Sequence, residues 1–145
     1  MIAPAALADL EEILELEEGG FDEGTRWSAD AWRTEIEGAD RHVLVVRQPG
    51  ERLDGVATFS FAGETADLLR VIVRPDTRRR GIASDLVKAG RRWATSQGAK
   101  RLLLEVETEN APALWLYVKL GFEPLAERRD YYGTGRHALV MEVAL

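Results

Sequence analysis

Val71-Ile72-Val73-Arg74-Pro75-Asp76-Thr77-Arg78-Arg79-Arg80-Gly81-Ile82-Ala83-Ser84 runs from a β-branched stretch, through a turn with proline and three consecutive arginines, into glycine and a helical pattern. The β-branched residues predict a strand ending at Val73. Beyond the glycine, Ile82, Leu86, Ala89 and Trp93 recur on one face of a helix over residues 81–97, closed by Gly98. A helix start presents unpaired N–H groups and the positive end of the macrodipole. Glycine lets the main chain come close to a ligand there, and arginine adds charge-assisted hydrogen bonds. Strand, loop, glycine and helix in this order make a diphosphate cradle, with Arg78, Arg79, Arg80, Gly81, Ile82 and Ala83 as its candidate residues. Ser84 either contacts a phosphate or caps the helix. The plainer alternative is that the arginines decorate a solvated turn.

Upstream of the cradle, residues 42–47, 55–61 and 65–73 read as three antiparallel strands in a meander, the first two joined by Gln48-Pro49-Gly50. Two helices precede them. The first spans residues 4–18, with Leu7, Leu10, Ile13 and Leu14 on one stripe and Gly19-Gly20 at its end. The second follows the N-cap Ser28 and stops near Gly38, with Trp27 and Trp32 at the two positions of a hydrophobic staple. Downstream, residues 101–107 form a strand apolar enough to predict parallel pairing across the helix before it. Asn110 caps a helix reaching Leu120, and strands over residues 123–131 and 136–143 flank Gly133-Thr134-Gly135.

The chain has 145 residues, 46% hydrophobic and 30% charged, the length and balance of one globular domain over residues 1–145. Having no cysteine, it has no disulfides, thiolate metal sites or cysteine nucleophile. His42 and His137 lack metal-ligand spacing, so no metal is expected, and His42 reads as a surface residue. No apolar run reaches membrane-span length and the start lacks the pattern of a secretory signal, so a cytoplasmic protein without a membrane partner is expected. Three adjacent arginines on a chain of net charge −6 point to a local anion site rather than a nucleic-acid surface. The helical spacing of Trp27, Trp32, Trp93 and Trp115 makes most of them core, not a stacking platform for bases.

Two further residues carry chemistry. Glu105 lies in Leu102-Leu103-Leu104-Glu105-Val106, where strand alternation puts it beside Leu103, in apolar company that suits a base working near neutral pH. Tyr117, in the helix that follows, offers a phenol as acid. Structural alternatives stand beside both: an outward-pointing carboxylate and a core aromatic.

The turn resembles that of the Gcn5-related N-acetyltransferase (GNAT) superfamily, whose Gln/Arg-x-x-Gly-x-Gly/Ala pattern is met by Arg78, Gly81 and Ala83. The resemblance implies an α+β fold with a central mixed, mostly antiparallel sheet of about seven strands and about four flanking helices. It also implies acetyl-CoA as co-substrate, its diphosphate on the turn and its pantetheine arm along the backbone of Val71, Ile72 and Val73. Leu104-Glu105-Val106, Asn110, Ala113, Leu116-Tyr117 and Leu120-Gly121-Phe122 resemble the ribosomal-protein-alanine N-acetyltransferase branch. That branch implies Glu105 as base, Tyr117 as acid and Asn110 on the cofactor, beside the capping role Asn110 has by itself. Arg26-Trp27-Ser28 is similar to the branch's Pro-Trp-Ser, with Arg26 replacing proline, and Arg128-Arg129-Asp130-Tyr131-Tyr132 to its Arg-Arg-x-Tyr-Tyr. Tyr131 and Tyr132 would then enclose the acceptor, or else be ordinary strand-end aromatics. The implied activity is acetyl transfer to the N-terminal α-amine, an alanine, of a ribosomal or other protein. A small amine (polyamine, amino acid or aminoglycoside) as acceptor, and a CoA-binding module without catalysis, stand as alternatives.

Overall fold

The computed structural model describes residues 1–48 and 52–145, so Pro49 and Gly50 of the expected turn lie outside the described residues. In chain order the elements are β1 (Ile2–Pro4), α1 (Leu10–Gly20), α2 (Ala29–Glu37), β2 (Arg41–Arg47), β3 (Leu53–Ala62), β4 (Thr65–Val73), α3 (Ile82–Ser96), β5 (Arg101–Glu107), α4 (Ala111–Lys119), β6 (Glu123–Arg128) and β7 (Ala138–Ala144). The strands form one seven-stranded sheet in the order β1-β2-β3-β4-β5-β7-β6. Every pairing is antiparallel except β4 with β5, which run parallel across α3.

Some element boundaries depart from the sequence reading. Residues 2–4, placed outside or at the edge of a first helix, form an edge strand, and Ala5 N–H continues its bonding to Val43 O at 2.9 Å. The helix is displaced to Leu10 because Asp9 accepts from Ala6 N–H at 2.8 Å and is itself held by Arg47 at 2.7 Å. The sixth strand stops at Arg128, not residue 131, so both adjacent tyrosines belong to the β6–β7 loop.

Each face of the sheet packs on two helices. On one, α3 and α4 cover Phe59, Leu102 and Met141, with Leu86 and Val87 driven into the same core. On the other, α1 and α2 cover Val43, Val56 and Ile72 with Ile13, Leu16 and Trp32. Ser28 caps α2 by accepting from Ala31 N–H at 3.1 Å, and Trp27 meets Trp32 at 5.2 Å between ring centroids, which forms the staple. Trp32 is fully buried, but Trp115 is 66% exposed, outside the core expected of most of the tryptophans. His42 is half-buried and stacked on Trp93 at 4.9 Å, and burial lowers its pKa, so it is not the free surface residue expected.

The sheet opens at its centre. β4 and β5 pair only from Thr65 with Arg101 to Leu68 with Leu104, so residues 69–73 are hydrogen-bonded within the sheet on their β3 side alone. At that point β4 carries a bulge: Thr58 faces Arg70 and Phe59 faces Leu68, which leaves Leu69 as an extra residue. A bulge bends its strand and raises the local twist, turning the end of β4 away from β5.

Candidate active site

The cradle stretch follows β4. After a 3-10 turn at Pro75–Thr77, Arg79 adopts φ 68° and Gly81 φ 77°, and α3 begins at Ile82. Left-handed residues alternating with right-handed ones are the backbone of anion-binding nests, and Arg79 holds that conformation at a cost of about 1–2 kcal/mol. A Cβ on Gly81 would meet nothing within 4 Å, so it is the positive φ that calls for glycine. No side chain caps α3, and among the described residues nothing accepts a hydrogen bond from the main-chain N–H groups of residues 79–84. Those amides lie at a helix start, where the helix dipole favours negative charge. Ile82 is buried and anchors the helix start, while Ala83 and Ser84 are partly exposed. The arginines divide. Arg74 is spent on β3, donating to Leu53 O at 2.9 and 2.7 Å, and Arg78 donates to Val73 O at 3.3 Å. Arg79 and Arg80 are exposed and have no partner among the described residues. Val71 and Val73 lean into the α3 core and Ile72 into the α1/α2 core, so the backbone of this segment borders the opening beside β5.

Beyond the helices, the α1/α2 face of the sheet carries a cleft of about 310 Å³. Trp27, Asp67, Arg70, Glu105, Tyr131 and Tyr132 line it. A larger, shallower depression of about 480 Å³ follows Lys88, Arg91 and Arg92 on α3 and holds none of the candidate residues. Glu105 projects from the same side of β5 as Leu103, but its company is not apolar: Arg128 donates to its Oε1 at 2.7 Å. The hydrogen bond and charge of Glu105, with some burial, raise the pKa of the Tyr131 phenol. Arg128 also stacks 4.4 Å from the Tyr131 ring, which meets Tyr132 edge-on at 5.0 Å. The tyrosine loop is braced on β5, where Arg136 grips Glu107 at 2.7 and 3.0 Å, and across its base, where Tyr132 N–H donates to Arg136 O.

Tyr117 comes from the opposite face. It is 6% exposed in the α3/α4 core, edge-on to Phe122 at 5.7 Å, and no hydrogen bond joins it to Glu105. Burial and the nearby Tyr132 push its pKa to about 12, so the phenol keeps its proton at neutral pH. Tyr132 is also pushed to about 12, by burial and then by Glu105. Asn110 caps α4, accepting from Ala113 N–H at 3.3 Å.

The acetyltransferase (GNAT) family model matches residues 7–122. The chain belongs to this family. A Bacillus subtilis (strain 168) protein, provisionally named a ribosomal protein bS18-alanine N-acetyltransferase, is 29% identical over 96% of this chain and 91% of its own length. The ribosomal protein bS18-alanine N-acetyltransferase of Salmonella typhimurium is 31% identical over 67% of this chain and 66% of its own. The crystal structure of the ribosomal-protein-S18-alanine N-acetyltransferase from Escherichia coli superposes with a TM-score of 0.88 at 26% identity, covering 99% of this chain and 92% of that one.

Within this GNAT fold, two cleft residues and one behind them escaped the sequence reading. Asp67 is one. The second, Arg70, donates from Nε and Nη2 to Glu17 at 2.6 and 3.0 Å and lies 3.5 Å from the Phe21 ring and 4.7 Å from that of Trp27. Glu17, the third, sits behind the cleft wall. The one signal was a pair of charged residues three apart in an otherwise apolar strand. Simple alternation puts such a pair on opposite faces, and the bulge at Leu69 puts both on one.

Proposed function

We propose that the protein transfers acetyl from acetyl-CoA to an amine, foremost the N-terminal α-amine of a protein chain, such as an alanine-initiated ribosomal protein. One observation carries the reading: amides without acceptors among the described residues over residues 79–84, at the end of a strand that parts from its neighbour, with a carboxylate-lined cleft across the same opening. The turn takes the diphosphate of CoA through these amides and Arg79 and Arg80, and the backbone of residues 71–73 takes the pantetheine arm. Glu105 receives the proton of the acceptor ammonium. The freed amine forms its N–C bond at the thioester carbonyl, the C–S bond breaks as Tyr117 donates its proton to the departing sulfur, and the second proton of the new amide nitrogen returns through solvent to the Tyr117 phenolate. The α-amine suits a carboxylate base, because its ordinary pKa is ~7.7–8.0 against ~10.4 for lysine. Relatives that act on ribosomal protein alanine support the choice of acceptor.

Thiol release is the test, with a peptide beginning Ala-Arg compared against polyamines, amino acids and aminoglycosides. Glu105→Gln and Tyr117→Phe are each expected to lower turnover by about 10²-fold or more while leaving CoA affinity intact. Near-normal rates in both variants remove the acid–base assignment. CoA binding without thiol release to any amine favours a module without catalysis.

A further inference from the structure

The charges in the cleft pair off, with one exception. Glu17 is matched by Arg70 and Glu105 by Arg128. The Asp67 carboxylate has neither a hydrogen bond nor an ion pair among the described residues, although it is half-buried in the cleft lining. Uncharged residues stand opposite it in the sheet, Ser60 on β3 and Leu103 on β5, and Glu105 is two residues beyond Leu103 on the same face. The cations that reach it electrostatically, Arg101 and Arg41, are engaged elsewhere: Arg101 with Glu142 at 3.2 Å, and Arg41 with Glu35 and Asp40 at 3.1 Å. Burial and then Glu105 raise the pKa of Asp67. A half-buried carboxylate without a cation is costly to ionise, and an arriving cation removes that cost. Of the rings around it, Trp27 and Tyr131 already carry Arg70 and Arg128, and Tyr132 adds a further ring that attracts a cation.

We infer that Asp67 binds the acceptor in its ammonium form and thereby selects cationic acceptors for Glu105 to deprotonate. The assignment rests on reading this cleft as the acceptor site. Asp67 and Glu105 thus divide the work, one receiving the charged amine and the other its proton.

Titration of a peptide beginning Ala-Arg, free or N-acetylated, tests the inference apart from turnover. Wild type should bind the free amine about 10-fold more tightly than the blocked peptide, Asp67→Asn should lose that preference, and Asp67→Glu should keep part of it. In kinetics, Asp67→Asn should raise the acceptor KM about 10-fold, with kcat and the acetyl-CoA KM unchanged. A preference retained in Asp67→Asn, or a fall in kcat at constant acceptor KM, overturns the inference. If no amine is acetylated by wild type the function proposed above fails, while the binding arm still decides the role of Asp67. Stability supplies a control for folding. Because the folded protein raises this carboxyl's pKa, it binds the proton more tightly than the unfolded chain, and stability falls as pH rises from about 3.8 upward. Asp67→Asn should therefore melt higher than wild type at neutral pH, and the gain should vanish in acid, where both proteins are uncharged at this position.

Discussion

Glu17 is 1% exposed and accepts from Trp27 N–H at 3.1 Å, Trp32 Nε1 at 2.9 Å and the two Arg70 nitrogens at 2.6 and 3.0 Å. A carboxylate so far from water persists only because all these donors face it, and Arg70 is in turn held by Thr25 O at 2.9 Å. The group fastens the segment between α1 and α2 to β4 and sets Trp27 as one wall of the cleft. Glu17→Ala leaves a largely buried guanidinium without its carboxylate partner and is expected to cost about 3–5 kcal/mol, read from urea denaturation. Removing both charges in Glu17→Ala/Arg70→Met should cost less than Glu17→Ala alone. A double variant weaker by the sum of its parts rejects the pairing as the cause.

At the scale of elements, α3 lies close enough to the sheet that position 90 has no room for a side chain. A Cβ there would sit 2.0–2.5 Å from three atoms of the fully buried Phe59 ring. Alanine ordinarily gains about 1 kcal/mol over glycine inside a helix. Here overpacking should reverse the sign, so Gly90→Ala is expected to lower stability by about 1–3 kcal/mol and to recover with Phe59→Leu, in thermal melts of both. That contact is invisible in the sequence. The elements themselves were legible where their signals are local: Ser28 and Asn110 as caps, residues 101–107 as a strand, and glycine entering α3. Where distant partners decide, they were not. Residues 2–4 become a strand because β2 offers an edge, and Asp67 shares a face with Arg70 because Leu69 bulges. The same division runs through the site: the turn is contiguous and could be read, whereas the cleft is assembled from β4, β5 and the β6–β7 loop, and its ion pairs exist only once those meet.

Over the whole molecule, the function proposed above puts its two binding surfaces on either side of one opening in the sheet. The turn lies at the start of α3, and the cleft proposed for the acceptor lies on the face of the sheet that carries α1 and α2, so occupancy of one should leave the other's residues untouched. Ligand that binds only the folded state stabilises it, by about 2.7 kcal/mol at 100 times Kd, which for a chain of this length raises Tm by roughly 6–10 °C. CoA should produce such a rise in wild type and in Glu105→Gln alike. Arg79→Glu/Arg80→Glu should abolish most of it while leaving the ligand-free Tm nearly unchanged, since both side chains are exposed and unpaired among the described residues. An equal rise in the charge-reversed protein moves the diphosphate off this turn. A rise lost in Glu105→Gln instead means that the cleft, not the helix start, holds the nucleotide.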